Sequence, residues 1–193
     1  TRRIAVLAHG GFPDGAKTAT GILRYADAEV VAVLDRDIAA DDPDARVTDY
    51  LPDVTDAPIV ANSSESPDFD ALVIGIAPIG GSFDETWRGD VTHAIESGAD
   101  VVSGLHYFLA DDPEFARLAG EHDVELRDVR RPPEDLTVAE GVARDLDAEI
   151  ITTVGTDCST GKMTTTRELY EAALDRGVDA GFIPTGQTGI VIE

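Results

Sequence analysis

The sequence predicts an α/β protein: a doubly wound parallel sheet with helices on both faces, then the start of a second α/β domain. Three observations carry this. Short apolar runs alternate with helix-period stretches along most of the chain. Glycine-rich turns stand between a strand-like run and a helix at Gly10–Thr18 and at Gly155–Thr164. The double proline Pro132-Pro133 interrupts the rhythm once, because it fits neither a helix interior nor a central strand.

Each element follows from its pattern. Residues 3–8 read as a buried strand, 17–27 as a helix and 29–35 as a second strand. Residues 70–76 form another strand, followed by a helix over 84–97 that Gly98 closes. A strand at 100–103, a helix at 113–122 and a strand at 124–128 complete the first series. After the linker Arg130–Glu134, a helix is expected over 137–147, strands over 149–154 and 179–185, and between them a helix over 161–176 ended by Gly177. The boundaries are therefore 1–132 for a Rossmann-like domain and 133–193 for the N-terminal part of a P-loop NTPase-like domain. Only two or three strands follow the linker, the chain opens on Thr1, and it stops just after an apolar run; the expectation is a fragment with a truncated second domain. No acid at the end of a later strand is on hand as a second metal ligand.

Composition narrows the function classes. The 193 residues hold 38 acidic and 15 basic side chains, a net charge of −23. Such a surface repels phosphates, which argues against a nucleic-acid partner. No apolar run is long enough to span a membrane and no secretory signal is visible, so a cytoplasmic protein is expected. The single cysteine excludes an internal disulfide and a four-cysteine zinc site. Asp occurs 25 times and Lys only twice, with the acids scattered rather than gathered in a tail. That looks like the acidic proteome of a halophilic, salt-accumulating microbe, where about 1 M salt cuts the Debye length to roughly 3 Å and screens the self-repulsion; the rival reading is an acidic surface for a basic partner.

The two lysines stand in the two glycine-rich turns. Gly155-Thr156-Asp157-Cys158-Ser159-Thr160-Gly161-Lys162-Met163-Thr164 approaches the phosphate loop G-x-x-x-x-G-K-[ST], in which main-chain amides, a helix N-terminus and a lysine grip phosphate oxygens. It departs by one extra residue between the glycines and by Met163 in place of the Mg²⁺-binding hydroxyl, leaving Thr164 as the metal candidate and Thr165 beside it. The extra residue resembles the loop of dethiobiotin synthetase. In Gly10–Thr18 the glycines fall at 10, 11 and 15, off the dinucleotide spacing, so NAD is disfavoured although Asp35 closes the second strand where a ribose-binding acid would sit. Another anion on Lys17 and Thr18, or a structural turn, remains open. His106 follows a strand at the ligand-facing edge, as does His9; His93 and His122 lie in helical stretches. Arg127, Arg130 and Arg131 form a basic cluster that either binds a carboxylate or pairs with Asp128 and Glu134. Gly186-Gln187-Thr188-Gly189 reads as a polar loop near the phosphate loop, with Gln187 on the ligand or simply in a turn.

Taken together, Lys17–Tyr25, Gly104-Leu105-His106, Asp128–Pro133, the Gly155–Thr164 loop and Thr185–Gly189 resemble a two-domain microbial family, formerly of unknown function, with members named D-glutamate N-acetyltransferase. The resemblance implies a Rossmann-like domain, a P-loop domain and transfer of an acetyl group from acetyl-CoA to an acidic amino acid. On that reading residues 155–165 and Gln187 hold the cofactor, His106 is the base, and Lys17, Thr18, Arg130 and Arg131 hold substrate carboxylates. The alternatives are an ATP-dependent carboxylate ligase, with Mg²⁺ an option, and a non-catalytic nucleotide-binding module. The partner is a small molecule in each case, and homo-oligomerisation is left open.

Overall fold

The computed structural model describes residues 1–78, 80–136, 140–157 and 160–192. They divide into two compact units. The first takes in Thr1–Arg131 together with the segment from Gly186 onward; the second is Pro132–Thr185.

The first unit is built on six parallel strands. In chain order its elements are β1 (Arg3–Leu7), α1 (Lys17–Tyr25), β2 (Glu29–Leu34), α2 (Arg36–Asp41), α3 (Val47–Tyr50), β3 (Ile59–Val60), β4 (Ala71–Ile74), α4 (Arg88–Glu96), β5 (Asp100–Ser103), α5 (Pro113–His122) and β6 (Leu126–Asp128). The strand order is β3-β2-β1-β4-β5-β6. Strands β1, β2 and β4 are apolar throughout their interiors because helices cover both faces of a parallel sheet. Ala5, Leu7, Ala32, Leu34 and Leu72 pack with Trp87, Val91 and Ile95 from the α4 side. Phe83 meets Trp87 and Phe115 edge to face, with ring centroids 5.8 and 5.6 Å apart. On α1, Ala19 seats on Gly75: a Cβ at 75 would stand 2.6 Å from Val6 Cγ1 and 2.8 Å from Ala19 Cβ. Only glycine lets this helix approach so closely.

In the second unit α6 (Lys162–Asp175) follows the glycine-rich loop as expected, and Gly177 closes it with φ +73°. Tyr170 packs 6.1 Å from Phe182, with the Arg167 guanidinium 5.0 Å from the Tyr170 ring. The other expectations for this stretch are corrected. The helix expected over 137–147 is only a short 3-10 turn at Val142–Asp145, with residues 137–139 outside the described set. Among the described residues, 149–154 and 179–185 form no strand. A strand needs a neighbour for its amides and carbonyls, and Ile150, Ile151, Val154 and Ile183 lie exposed, at 55%, 69%, 84% (Ile183) and 85% (Val154). The Gly186–Gly189 stretch is not a loop: α7 (Gln187–Ile192) is helical and packs on α1 in the first unit, burying Gly189 and Ile192.

Candidate functional site

In the second unit, Gly155 lies against Thr160 and Lys162. A Cβ at Gly155 would stand 2.5 Å from Thr160 Oγ1 and 3.2 Å from Lys162 Cδ, so the absence of a side chain at 155 lets Thr160 and Lys162 approach its backbone. Gly161 takes φ +86° and starts α6, whose turn is closed by Thr165 N–H donating to Gly161 O at 2.8 Å. The Lys162 ammonium folds back over the loop, donating to Asp157 O at 2.5 Å and Thr160 Oγ1 at 3.2 Å. The first turn of α6 carries no acidic residue, and its N-cap Gly161 offers no side chain to cap the positive end. Among the described residues the amides of Gly155, Thr156, Gly161 and Lys162 find no backbone acceptor. An anion near this helix start would meet the positive end of α6 and a lysine held by two neutral oxygens. Thr164 and Thr165 are exposed in the first turn, Met163 half-buried, and Cys158 and Ser159 lie outside the described residues.

In the first unit the strand order reverses between β1 and β4, which is where a doubly wound sheet opens its ligand crevice. The glycine turn after β1 is tied by Gly11 N–H to Ala8 O (3.0 Å) and Gly15 N–H to Gly11 O (2.7 Å). Asp35 is buried, and its carboxylate accepts from the amides of Phe12, Asp37 and Ile38. It caps α2 and braces the glycine turn, so a ribose would have to compete with three amides for it. Lys17 is exposed at the start of α1; Thr18 is buried and shares a 2.9 Å hydrogen bond with Thr188 of α7.

The arginine cluster separates by partner. Asp128 accepts from the amides of Leu109 (2.9 Å) and Ala110 (3.0 Å), and Arg131 N–H donates to Asp128 O, which closes a turn at the end of β6. Arg131 is spent on Asp111 at 2.7 Å and on the face of Phe108. Arg130 swings back over the end of β5. Its Nε–H is shared by Gly104 O (2.6 Å) and Gln187 Oε1 (2.7 Å), and Nη2 also donates to Gln187. Gln187, which the sequence places beside the phosphate loop, belongs to this arginine in the first unit. His106 lies exposed against Gly81, and among the described residues its ring has no hydrogen-bond partner.

The structure adds a pair the sequence did not single out. Buried His9 stands with Nε2 3.0 Å from Asp90 Oδ2, while its Nδ1 accepts from the Arg36 amide at 3.2 Å. The amide leaves the ring proton of neutral His9 on Nε2, facing the carboxylate. Burial pushes the Asp90 carboxyl up, but hydrogen bonds from His9 and the Ser63 amide outweigh it and hold the carboxyl below the usual range. A cleft of about 530 Å³ opens beside the pair, lined by Arg36, Asn62, Ser64, Thr86 and His93. His9 and Asp90 are 81 residues apart, so no local pattern could have joined them. Among the described residues no group of three or more His, Cys, Asp or Glu is placed to hold a metal ion, and no helix is long and apolar enough to cross a membrane.

Comparison with known proteins matches the two halves separately. Residues 40–132 match the Rossmann-like N-terminal domain of DUF1611, a domain of unknown function, and residues 137–193 match the DUF1611 C-terminal P-loop domain. Over 121 residues, 63% of this chain, the sequence is 41% identical to the D-glutamate N-acetyltransferase of Tritonibacter scottomollicae. It is 39% identical over the same length to a protein of that name from a Pseudoalteromonas species. The chain spans 36% of each of these relatives. A crystal structure of a DUF1611 family protein from Anabaena variabilis superposes with a TM-score of 0.89 at 36% identity, covering 100% of this chain and 55% of that one.

Proposed function

The chain belongs to the DUF1611 family, with a Rossmann-like domain followed by a P-loop domain, and on that premise we propose that it is part of an enzyme that acetylates the amine of an acidic amino acid such as D-glutamate, with acetyl-CoA as donor. The observation that carries the proposal is the glycine-rich stretch leading into α6, where among the described residues the Lys162 ammonium is held by the Asp157 carbonyl and the Thr160 hydroxyl at a helix start whose first turn carries no acid. In this reading Gly155–Thr165 take a phosphate of acetyl-CoA, its 3′-phosphate or its pyrophosphate. The reading counts Cys158 and Ser159 among the cofactor-binding residues, and the hydroxyls of Thr160, Thr164 and Thr165 add donors.

The amino acid's carboxylate goes to Arg130, with Lys17 adding charge at the start of α1. The reaction forms a bond from the free amine to the acetyl carbon and breaks the thioester carbon–sulfur bond, with CoA thiolate leaving. The ammonium must first lose a proton, and His106 is the group proposed to take it. Arg131, paired with Asp111, and Thr18, paired with Thr188, act by holding the edge in shape.

The test is calorimetric titration of the protein with acetyl-CoA and with Mg-ATP, in wild type and Lys162→Ala. The reading expects acetyl-CoA to bind and Lys162→Ala to weaken it at least about tenfold, the scale of one charge-assisted hydrogen bond. Heat from Mg-ATP alone would replace the transferase with a carboxylate ligase using Thr164 on the metal. Acetyl-CoA binding that is indifferent to Lys162 would remove the loop from the site.

A further inference from the structure

We propose that Gln187 is a positioning residue that holds Arg130 as an uncancelled carboxylate receptor on the Rossmann-like unit. The identity of the carboxylate, an acidic amino acid, rests on the function proposed above; the receptor itself rests on geometry.

Cations are scarce in this chain, 15 against 38 acids, and many are taken. Arg88 meets Glu85, Asp112 and Glu114; Arg2 meets Asp100, Arg46 meets Asp56, Arg117 meets Glu121 and Arg131 meets Asp111. Arg130 is exposed, and among the described residues both of its acceptors are neutral: a backbone carbonyl and a side-chain amide oxygen. These occupy Nε–H and one proton of Nη2. Both Nη1 protons and the second of Nη2 remain, which is the end of the guanidinium that grips a carboxylate with two parallel bonds.

The support is built from several elements. The Asp128 turn throws Arg130 back over β5. At residue 104 a Cβ would come 3.1 Å from Gln187 Cβ, so glycine lets the two meet. Helix α7 is itself seated by the Thr188–Thr18 hydrogen bond and by buried Gly189 and Ile192. An amide at 187 suits this place for a physical reason. Glutamate would hold the same guanidinium in the same geometry but cancel its charge, whereas glutamine orients it and leaves the charge available.

Gln187→Glu is therefore the informative variant, because it keeps the contact and reverses the prediction. The experiment titrates D-glutamate and glutarate into wild type, Gln187→Glu and Arg130→Ala at fixed KCl, with melting curves as a control on folding. Gln187→Glu should melt at or above the wild-type temperature, because an ion pair replaces a hydrogen bond from the guanidinium to a neutral acceptor. It should nevertheless weaken both ligands about tenfold or more, approaching Arg130→Ala. In turnover it should raise KM for the amino acid with kcat within about twofold, the signature of lost uniform binding. A purely structural Gln187 predicts a stable Gln187→Glu with unchanged affinity, and that result overturns the proposal. Should Gln187→Glu fail to fold, Gln187→Ala stands in: weaker binding supports the proposal and unchanged binding overturns it. Wild type that binds glutarate but not D-glutamate, with glutarate lost in Gln187→Glu, keeps the receptor and removes the amino-acid reading. Wild type that binds neither overturns the receptor.

Discussion

Removing the Asp112 carboxylate should cost the Rossmann-like unit about 3 kcal/mol. Asp112 is 7% exposed and does two tasks. Its Oδ1 accepts from the amides of Glu114 (2.9 Å) and Phe115 (3.2 Å), capping α5. Its Oδ2 accepts from Arg88 Nη2 (2.9 Å) and from the Tyr107 hydroxyl (2.6 Å). A lost Asp cap costs about 1 kcal/mol, and a lost hydrogen bond to a charged group about 1.5–3 kcal/mol. Arg88 keeps Glu85 and Glu114, so it is not orphaned, which places Asp112→Ala near the middle of that range. For a unit of this size that is a fall of roughly 10 °C in Tm. The effect carries a pH signature. Burial pushes the Asp112 carboxyl up, but Arg88, Tyr107 and the two amides outweigh it and hold it well below its ordinary value of 3.8. The stabilisation is therefore complete above that value and is lost as pH falls from about 4 through the depressed folded pKa. Thermal and urea unfolding of wild type and Asp112→Ala, followed by circular dichroism from pH 7 to 2.5, read the Tm and the free-energy difference. A Tm change under about 2 °C at pH 7, or a gap that widens with acid, would refute the reasoning.

Two further outcomes follow. Gly75→Ala would drive a methyl into Val6 and Ala19 and strain the 2.9 Å bond from Ala19 N–H to Gly75 O, for about 1–3 kcal/mol read as a lower urea midpoint; an unchanged midpoint would show that α1 does not seat there. If the −23 charge is solvent adaptation, Tm should climb steeply as KCl is raised toward molar, where the Debye length is about 3 Å, and a flat curve would contradict it.

The parts of the fold legible in the sequence are those where local pattern and tertiary environment agree. Strands β1, β2 and β4 are apolar because both faces are covered, and their runs announce them. Gly98 and Gly177 end helices with φ of +81° and +73°, a conformation that favours glycine. Strand β3 is only Ile59–Val60, too short to show a period, and it exists because β2 offers it an edge. The runs 149–154 and 179–185 have strand composition, but among the described residues neither meets a partner ladder, and composition alone makes no sheet. Residues 187–192 carry an apolar run that suits a strand or a helix equally, and burial of Ile192 against the first unit decides for helix. The loop 155–165 was legible because its chemistry is written in consecutive residues. The Arg130–Gln187 contact, 57 residues apart, and the His9–Asp90 pair were not, since only the folded sheet brings them together.

The account stands or falls on the phosphate loop. Its most direct test is a crystal structure of the protein with CoA bound. A CoA phosphate should lie against the amides of residues 155–162, with the Lys162 ammonium moved from the Asp157 carbonyl onto a phosphate oxygen. CoA bound elsewhere, with Lys162 still on Asp157, would contradict it.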